Sequence, residues 1–122
     1  MNWMSDVAIL AVVVFAYTFL KRATQISRKD ALAHLKTGAL VIDVRSPGEF
    51  NSGHIPTAIN IPVEEIETAL PRRFKDKNQV LLLHCQSGMR SGAAKRKLAG
   101  LGYANAFNLG SYARAAAIVN AR

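Results

Sequence analysis

The chain has 122 residues, half of them apolar, with a formal charge of +8 and one cysteine. That length suits one domain with enough core to fold alone, and the positive balance points to an anionic partner: nucleic acid, an anionic membrane surface or a small anionic substrate. One cysteine excludes an intrachain disulfide and a multi-cysteine metal site and fits a reducing compartment, while the lack of basic runs interleaved with aromatics, and of zinc-finger, RNP or helix-turn-helix signatures, argues against nucleic acid.

Residues 7–20 (VAILAVVVFAYTFL) carry no charge. As a helix this run spans about 21 Å. Taken back to Trp3 it reaches about 27 Å, near the roughly 30 Å hydrocarbon core of a bilayer. Trp3 is then an interfacial aromatic, and Lys21 and Arg22 anchor the other end. A cleaved signal peptide fits less well, because it carries a basic amino-terminal region and a small-residue cleavage site. A buried core helix needs a polar face, which residues 7–17 lack. The expected organisation is one N-terminal transmembrane helix (residues 1–22), a linker (23–26) and a single domain (27–122). Lys21, Arg22, Arg28, Lys29 and Lys36 follow the apolar run and no Lys or Arg precedes it. The positive-inside bias therefore places the domain in the cytoplasm.

Ser27, with Asp30 three residues on, looks like a capping box opening a helix over 28–36, with Gly38 as its stop signal. Residues 39–44 (ALVIDV) read as a buried strand. Residues 45–56 are turn-rich, with one helical turn around Glu49, and 58–62 (AINIP) are strand-like. Residues 63–70 (VEEIETAL) form a helix opening on acids, which Pro71 ends. Residues 79–84 (QVLLLH) give the strongest strand signal, and a helix over 91–99 follows. Residues 105–109 form a last strand, and 111–119 a terminal helix. Alternation of strands and helices predicts a mostly parallel sheet covered on both faces.

Cys85 falls between the third strand and its helix, in HCQSGMRS (residues 84–91). In open α/β sheets, ligand sites lie beyond the carboxyl ends of strands. A loop curling there aims successive N–H groups at one point, and the helix dipole adds positive potential; both favour thiolate over thiol. A partly buried helix terminus supplies up to about 2 kcal/mol in that direction. Arg90 has the wrong sign for the first turn of a helix unless an anion sits beside it.

These residues resemble a rhodanese domain of the single-domain thiosulfate sulfurtransferase type, over residues 26–110. Residues 41–62 (VIDVRSPGEFNSGHIPTAINIP) are similar to the family's first signature, D-x-R-x-x-x-E-[FY]-x-x-G-H-I-x-x-A-x-[NH]-[IL]-P. Residues 85–91 (CQSGMRS) are similar to its catalytic loop, and 97–110 to the stretch that follows. The resemblance implies an α/β fold with a central parallel five-stranded sheet flanked by helices. It implies a double displacement needing no cofactor and no metal, in which Cys85 takes the outer sulfur of a small anionic donor, thiosulfate, as a persulfide and passes it to cyanide or a thiol. The backbone of Gln86, Ser87, Gly88, Met89 and Arg90 is implied to bind the substrate and steady the sulfur, with the Arg90 side chain on the donor. Asp43 and Arg45 look like the family's bracing pair, with direct substrate contact by Arg45 as the alternative. With no second cysteine, the acceptor must be external. Ser111 stands where the family often has glycine, which alters the pocket floor.

His54, His84 and His34 read as structural, Glu49 as a loop brace, and Arg72, Arg73, Lys75 and Lys77 as a solvated basic face or one that steers anions or touches lipid headgroups. Two other activities compete. A cysteine phosphatase carries H-C-x-x-G-x-x-R, but here the arginine comes one residue early. A membrane-tethered persulfide carrier or binding module, acting with a protein partner, shares every feature above except turnover.

Overall fold

The structure, a computed structural model, describes residues 2–122; the side chains of residues 21–23, and with them the expected anchors Lys21 and Arg22, lie outside the described residues. Helix α1 (Trp3–Ala23) is 21 residues long, about 31 Å. Its apolar side chains are exposed from Trp3 to Leu20, and Phe15 and Phe19 stack one turn apart. It is long and apolar enough to cross a membrane.

The remainder is an α/β layer structure. Helix α2 (Arg28–Lys36) starts where Ser27 accepts the Asp30 N–H. Strands β1 (Leu40–Asp43), β2 (Ile59–Asn60), β3 (Leu81–His84) and β4 (Ala106–Gly110) form one parallel sheet in the order β2-β1-β3-β4. Helices α3 (Pro47–Ser52), α4 (Ile66–Arg73), α5 (Met89–Gly100) and α6 (Tyr112–Asn120) fill the connections. Central strands buried on both faces read as continuous apolar runs, and side chains alternate between faces. Ile42, Val44, Leu81, Leu83 and Cys85 pack with Ile66 and Leu70 of α4 and Ala94 and Leu98 of α5. Val41 and Leu82 pack on the other face with Ala31 and Leu35 of α2 and Ala115, Ile118 and Val119 of α6.

Four expectations are corrected. The sheet has four strands rather than five. The place beside β4 is taken by a single parallel bridge, Gln25 to Asn108. Only residues 24–26 are left between the end of α1 and the Ser27 cap, and the single bridge at Gln25 is their pairing. The segment read as a linker is thereby part of the sheet edge: the Ile26 N–H donates to Asn108 O at 2.9 Å. Pro71 does not end its helix. A turn of 3-10 helix (Val63–Glu65) leads into α4, which runs two residues past Pro71 and forgoes the one hydrogen bond that proline cannot make. Burial of Ile66 and Leu70 holds that helix to the sheet. Finally, α5 starts at Met89, two residues earlier than the expected Ser91, so Arg90 and Ser91 both lie in its first turn.

Candidate active site

Cys85 follows the last residue of β3 and is fully buried. Its loop reaches α5 in three residues because Gly88 adopts φ 95°, a left-handed conformation that costs glycine nothing. The first N–H groups of a helix have no partner within it, and a side-chain oxygen at the N-cap normally serves them. Gly88 has no side chain and α5 has no acid in its first turn. The cysteine sulfur fills that role instead. The Gly88 N–H donates to Sγ at 3.0 Å, and the Ser91 hydroxyl stands 3.6 Å away. Burial pushes the Cys85 thiol up, but the Ser91 amide and hydroxyl and the amides of Gly88 and Ser87 outweigh it, so the thiol lies below its ordinary value.

Asn108 locks this arrangement from β4. Its Oδ1 accepts from the Ser91 hydroxyl at 2.7 Å and the Gly110 N–H at 2.9 Å, and its Nδ2 donates to Gly88 O at 3.1 Å. Ser111 pairs with Ser87 as an antiparallel bridge and caps α6 by accepting the Arg114 N–H. The Cys85 N–H donates to Gly110 O at 3.2 Å. The loop is thus fixed to β4 and to the start of α6.

Arg90 turns toward α3. Its guanidinium grips both oxygens of Glu49, at 2.6 and 2.9 Å. Glu49 is also the third residue of a capping box, its Oε1 accepting from the Ser46 N–H and hydroxyl. Arg90, then the Ser46 amide, hold the Glu49 carboxyl down to about 2.

Asp43, Arg45 and His84 belong to the opposite face of the sheet from Cys85, because Asp43 and His84 are each one residue out of phase with Val44 and Cys85. Arg45 Nε lies 3.0 Å from both Asp43 oxygens, its Nη2 donates to Asp43 Oδ2 at 2.7 Å and Gly53 O at 2.8 Å, and it lies over the Tyr112 ring. No bond from Arg45 to Sγ is present among the described residues. His84 is buried, with Nε2 3.7 Å from Asp43 Oδ2 and without a hydrogen-bond partner, and burial lowers its basicity.

The structure therefore brings Cys85, Ser87 and Gly88 together, with Arg90 tied to Glu49 in the same helical turn. Gln86 is exposed and its carbonyl accepts from the Tyr112 N–H, and the Met89 side chain points outward. Sequence reasoning missed Ser91 and Asn108. The signals were present: a serine three residues after Gly88, the N3 position of α5, and one polar residue inside an otherwise apolar strand.

Comparison with known proteins identifies the family and the fold. The Rhodanese-like domain family model matches residues 27–115. The thiosulfate sulfurtransferase PspE of Escherichia coli K12 is 38% identical over 69 residues, covering 57% of this chain and 66% of its own length. The human thiosulfate:glutathione sulfurtransferase is 36% identical over 99 residues, covering 70% of this chain and 86% of its own. Among solved structures, the human single-domain sulfurtransferase TSTD1 superposes with a TM-score of 0.65 at 34% identity, over 75% of this chain and 93% of that one. A rhodanese with anions from E. coli gives 0.61 at 34% identity, over 63% and 91%. The chain belongs to the rhodanese-like family.

Proposed function

We propose that the chain is a membrane-anchored sulfurtransferase that moves the outer sulfur of thiosulfate, through a Cys85 persulfide, to cyanide or a thiol. The observation that carries this reading is the convergence of the Gly88 N–H and the Ser91 donors on a buried Sγ at a strand end. The Cys85 thiolate attacks the outer sulfur of thiosulfate. The sulfur–sulfur bond of the donor breaks, and sulfite leaves with the electron pair. Cyanide or a thiolate then takes the terminal persulfide sulfur and returns Cys85 as thiolate. Donors already aimed at the sulfur stabilise negative charge in both steps without reorganising. Arg90 holds the sulfonate end of the donor once Glu49 yields it. Sulfur transfer is supported by the activities of the relatives, and the anchor by the length and apolar surface of α1. The positive residues that follow α1 support a cytoplasmic domain.

Mass spectrometry of the full chain with and without thiosulfate tests the chemistry. The expected result is a gain of one sulfur atom that cyanide removes and that Cys85→Ser abolishes. No gain in the native chain overturns the proposal. One sulfur per chain without turnover, unless a protein partner is added, replaces the enzyme with a carrier.

A further inference from the structure

Very little chain separates the apolar helix from the catalytic loop. Leu20 closes the apolar window of α1, and Gln25 already pairs with Asn108. Three helical steps and two extended ones cover about 11 Å. Asn108 is in register with Leu83, two residues before Cys85, so the chain joins the sheet at its carboxyl end, the end that carries the thiol. The Gln25 side chain packs on the loop itself. A Cβ on Gly88 would stand 3.2 Å from Gln25 Nε2, and one on Gly110 3.1 Å from it.

Two further observations concern the same face. A cleft of about 230 Å³ is lined by Tyr17 and Leu20 from the end of α1 and by Met89 and Arg96 from the loop and α5. Met89, at 66% exposure, is the sole exposed large apolar side chain outside α1 among the described residues. A lone exposed methionine at the start of α5, beside exposed Arg96 and across the cleft from Tyr17 near the end of the apolar helix, matches the headgroup–acyl boundary of a bilayer.

We propose that the mouth of the Cys85 loop rests on the bilayer that α1 enters, with Met89 at the headgroup–acyl boundary and Arg96 among the phosphates. This rests on the reading of α1 as a membrane span. The occupant is a lipid surface because the helix on the far side of the cleft is itself the lipid-facing one, and its apolar window ends five residues before Gln25, whose side chain packs on the loop. Donor and acceptor then reach Cys85 through the interfacial layer. The basic residues Arg72, Arg73, Lys75 and Lys77 lie before β3, at the amino end of the sheet, opposite the end that carries Cys85.

Tryptophan quenching separates these claims, because the native chain has a single tryptophan, Trp3. The full chain is reconstituted in phosphatidylcholine–phosphatidylglycerol vesicles whose acyl chains are brominated either near the headgroup or near mid-chain. The native protein reports on the anchor. Trp3→Phe/Met89→Trp reports on the loop, and Trp3→Phe/Lys75→Trp on the far end. The expected result is quenching of Trp3, quenching of the Met89→Trp indole more by shallow than by mid-chain bromine, and none of the Lys75→Trp indole. A quenched Trp3 with an unquenched Met89→Trp indole overturns the docking and leaves the anchor standing. Equal quenching at 75 and 89 also overturns it. An unquenched Trp3 removes the anchor, and the docking with it.

Discussion

On the proposed mechanism Glu49 competes with the donor for Arg90, and Glu49→Gln measures that competition. Glutamine keeps the capping-box geometry with Ser46, so α3 stays in place. It removes the carboxylate that grips Arg90 at 2.6 and 2.9 Å. The pair is bidentate, which strengthens it, but its side chains are 37% and 36% exposed, and solvent screening limits it to about 1 kcal/mol. Releasing Arg90 lowers KM for thiosulfate by up to about 5-fold, the equivalent of that energy, while kcat changes little because Glu49 touches no reacting atom. The same loss lowers the melting temperature by about 4–8 °C. Glu49 is held to about 2, below its unfolded value of 4.5. Its contribution is therefore present above 4.5 and lost as pH falls toward 2, so the KM difference between the two proteins is constant across neutral pH. The assay is thiocyanate formation with thiosulfate varied at saturating cyanide, repeated at rising salt, where the difference shrinks. A KM that rises in Glu49→Gln refutes the reasoning and makes Glu49 a positioning residue for Arg90.

Ser91→Ala removes a donor that holds the Cys85 thiol down, so the acid limb of kcat/KM moves to higher pH, and the two proteins converge at alkaline pH; an unmoved limb contradicts the assignment. His84 is made less basic by burial, against the pull of Asp43. As pH falls below the ordinary 6.5, the unfolded chain takes up the proton first, and stability present above that value is lost below it. Denaturant midpoints at pH about 7.5 and about 5.5 show this slope in the native protein and a flatter one in His84→Leu. With the loop on the bilayer, a surface potential near −30 mV depletes a dianion about 10-fold at the surface and about 2-fold one Debye length out. KM for thiosulfate rises within that range when phosphatidylglycerol is added to phosphatidylcholine vesicles, and an unchanged KM places the loop away from the lipid.

What the sequence disclosed follows from local pattern. LVID and LLLH are buried on both faces and read as central strands for that reason; Ser27 announces its helix through one short-range bond. Cys85 was legible because strand end, glycine and helix start are consecutive. The grip of Arg90 on Glu49 joins residues 41 apart, and that of Asn108 on Gly88 residues 20 apart. No local spacing encodes such bonds; they exist because β1, β3 and β4 bring their carboxyl ends together. The missing fifth strand has the same origin. Residues 24–26, between α1 and the Ser27 cap, carry the edge pairing as a single bridge. Pro71 misled because burial of Leu70 and Ile66 outweighs one absent hydrogen bond.

Loop size supports sulfur transfer over phosphoryl transfer, the two chemistries that a C-x-x-G loop permits. The donors converge on Sγ itself, with the Gly88 nitrogen at 3.0 Å and the Ser91 hydroxyl at 3.6 Å. A persulfide adds one atom beyond Sγ. A transferring phosphoryl group adds a phosphorus with three equatorial oxygens, and its stabilising donors must stand one bond farther out, on a wider ring. The short loop, which reaches α5 three residues after Cys85, holds this ring close to Sγ. Inserting one residue between Gly88 and Met89 loosens it, because α5 then begins a residue later and the Ser91 amide and hydroxyl no longer reach the sulfur. Removing one preorganised donor costs about 100-fold in comparable sites, so sulfur transfer falls by at least that factor while the melting temperature, set by the two apolar faces of the sheet, moves little. Retained sulfur transfer in the inserted protein, or phosphate release from an aryl phosphate that outpaces sulfur transfer in the native one, refutes a ring built for sulfur.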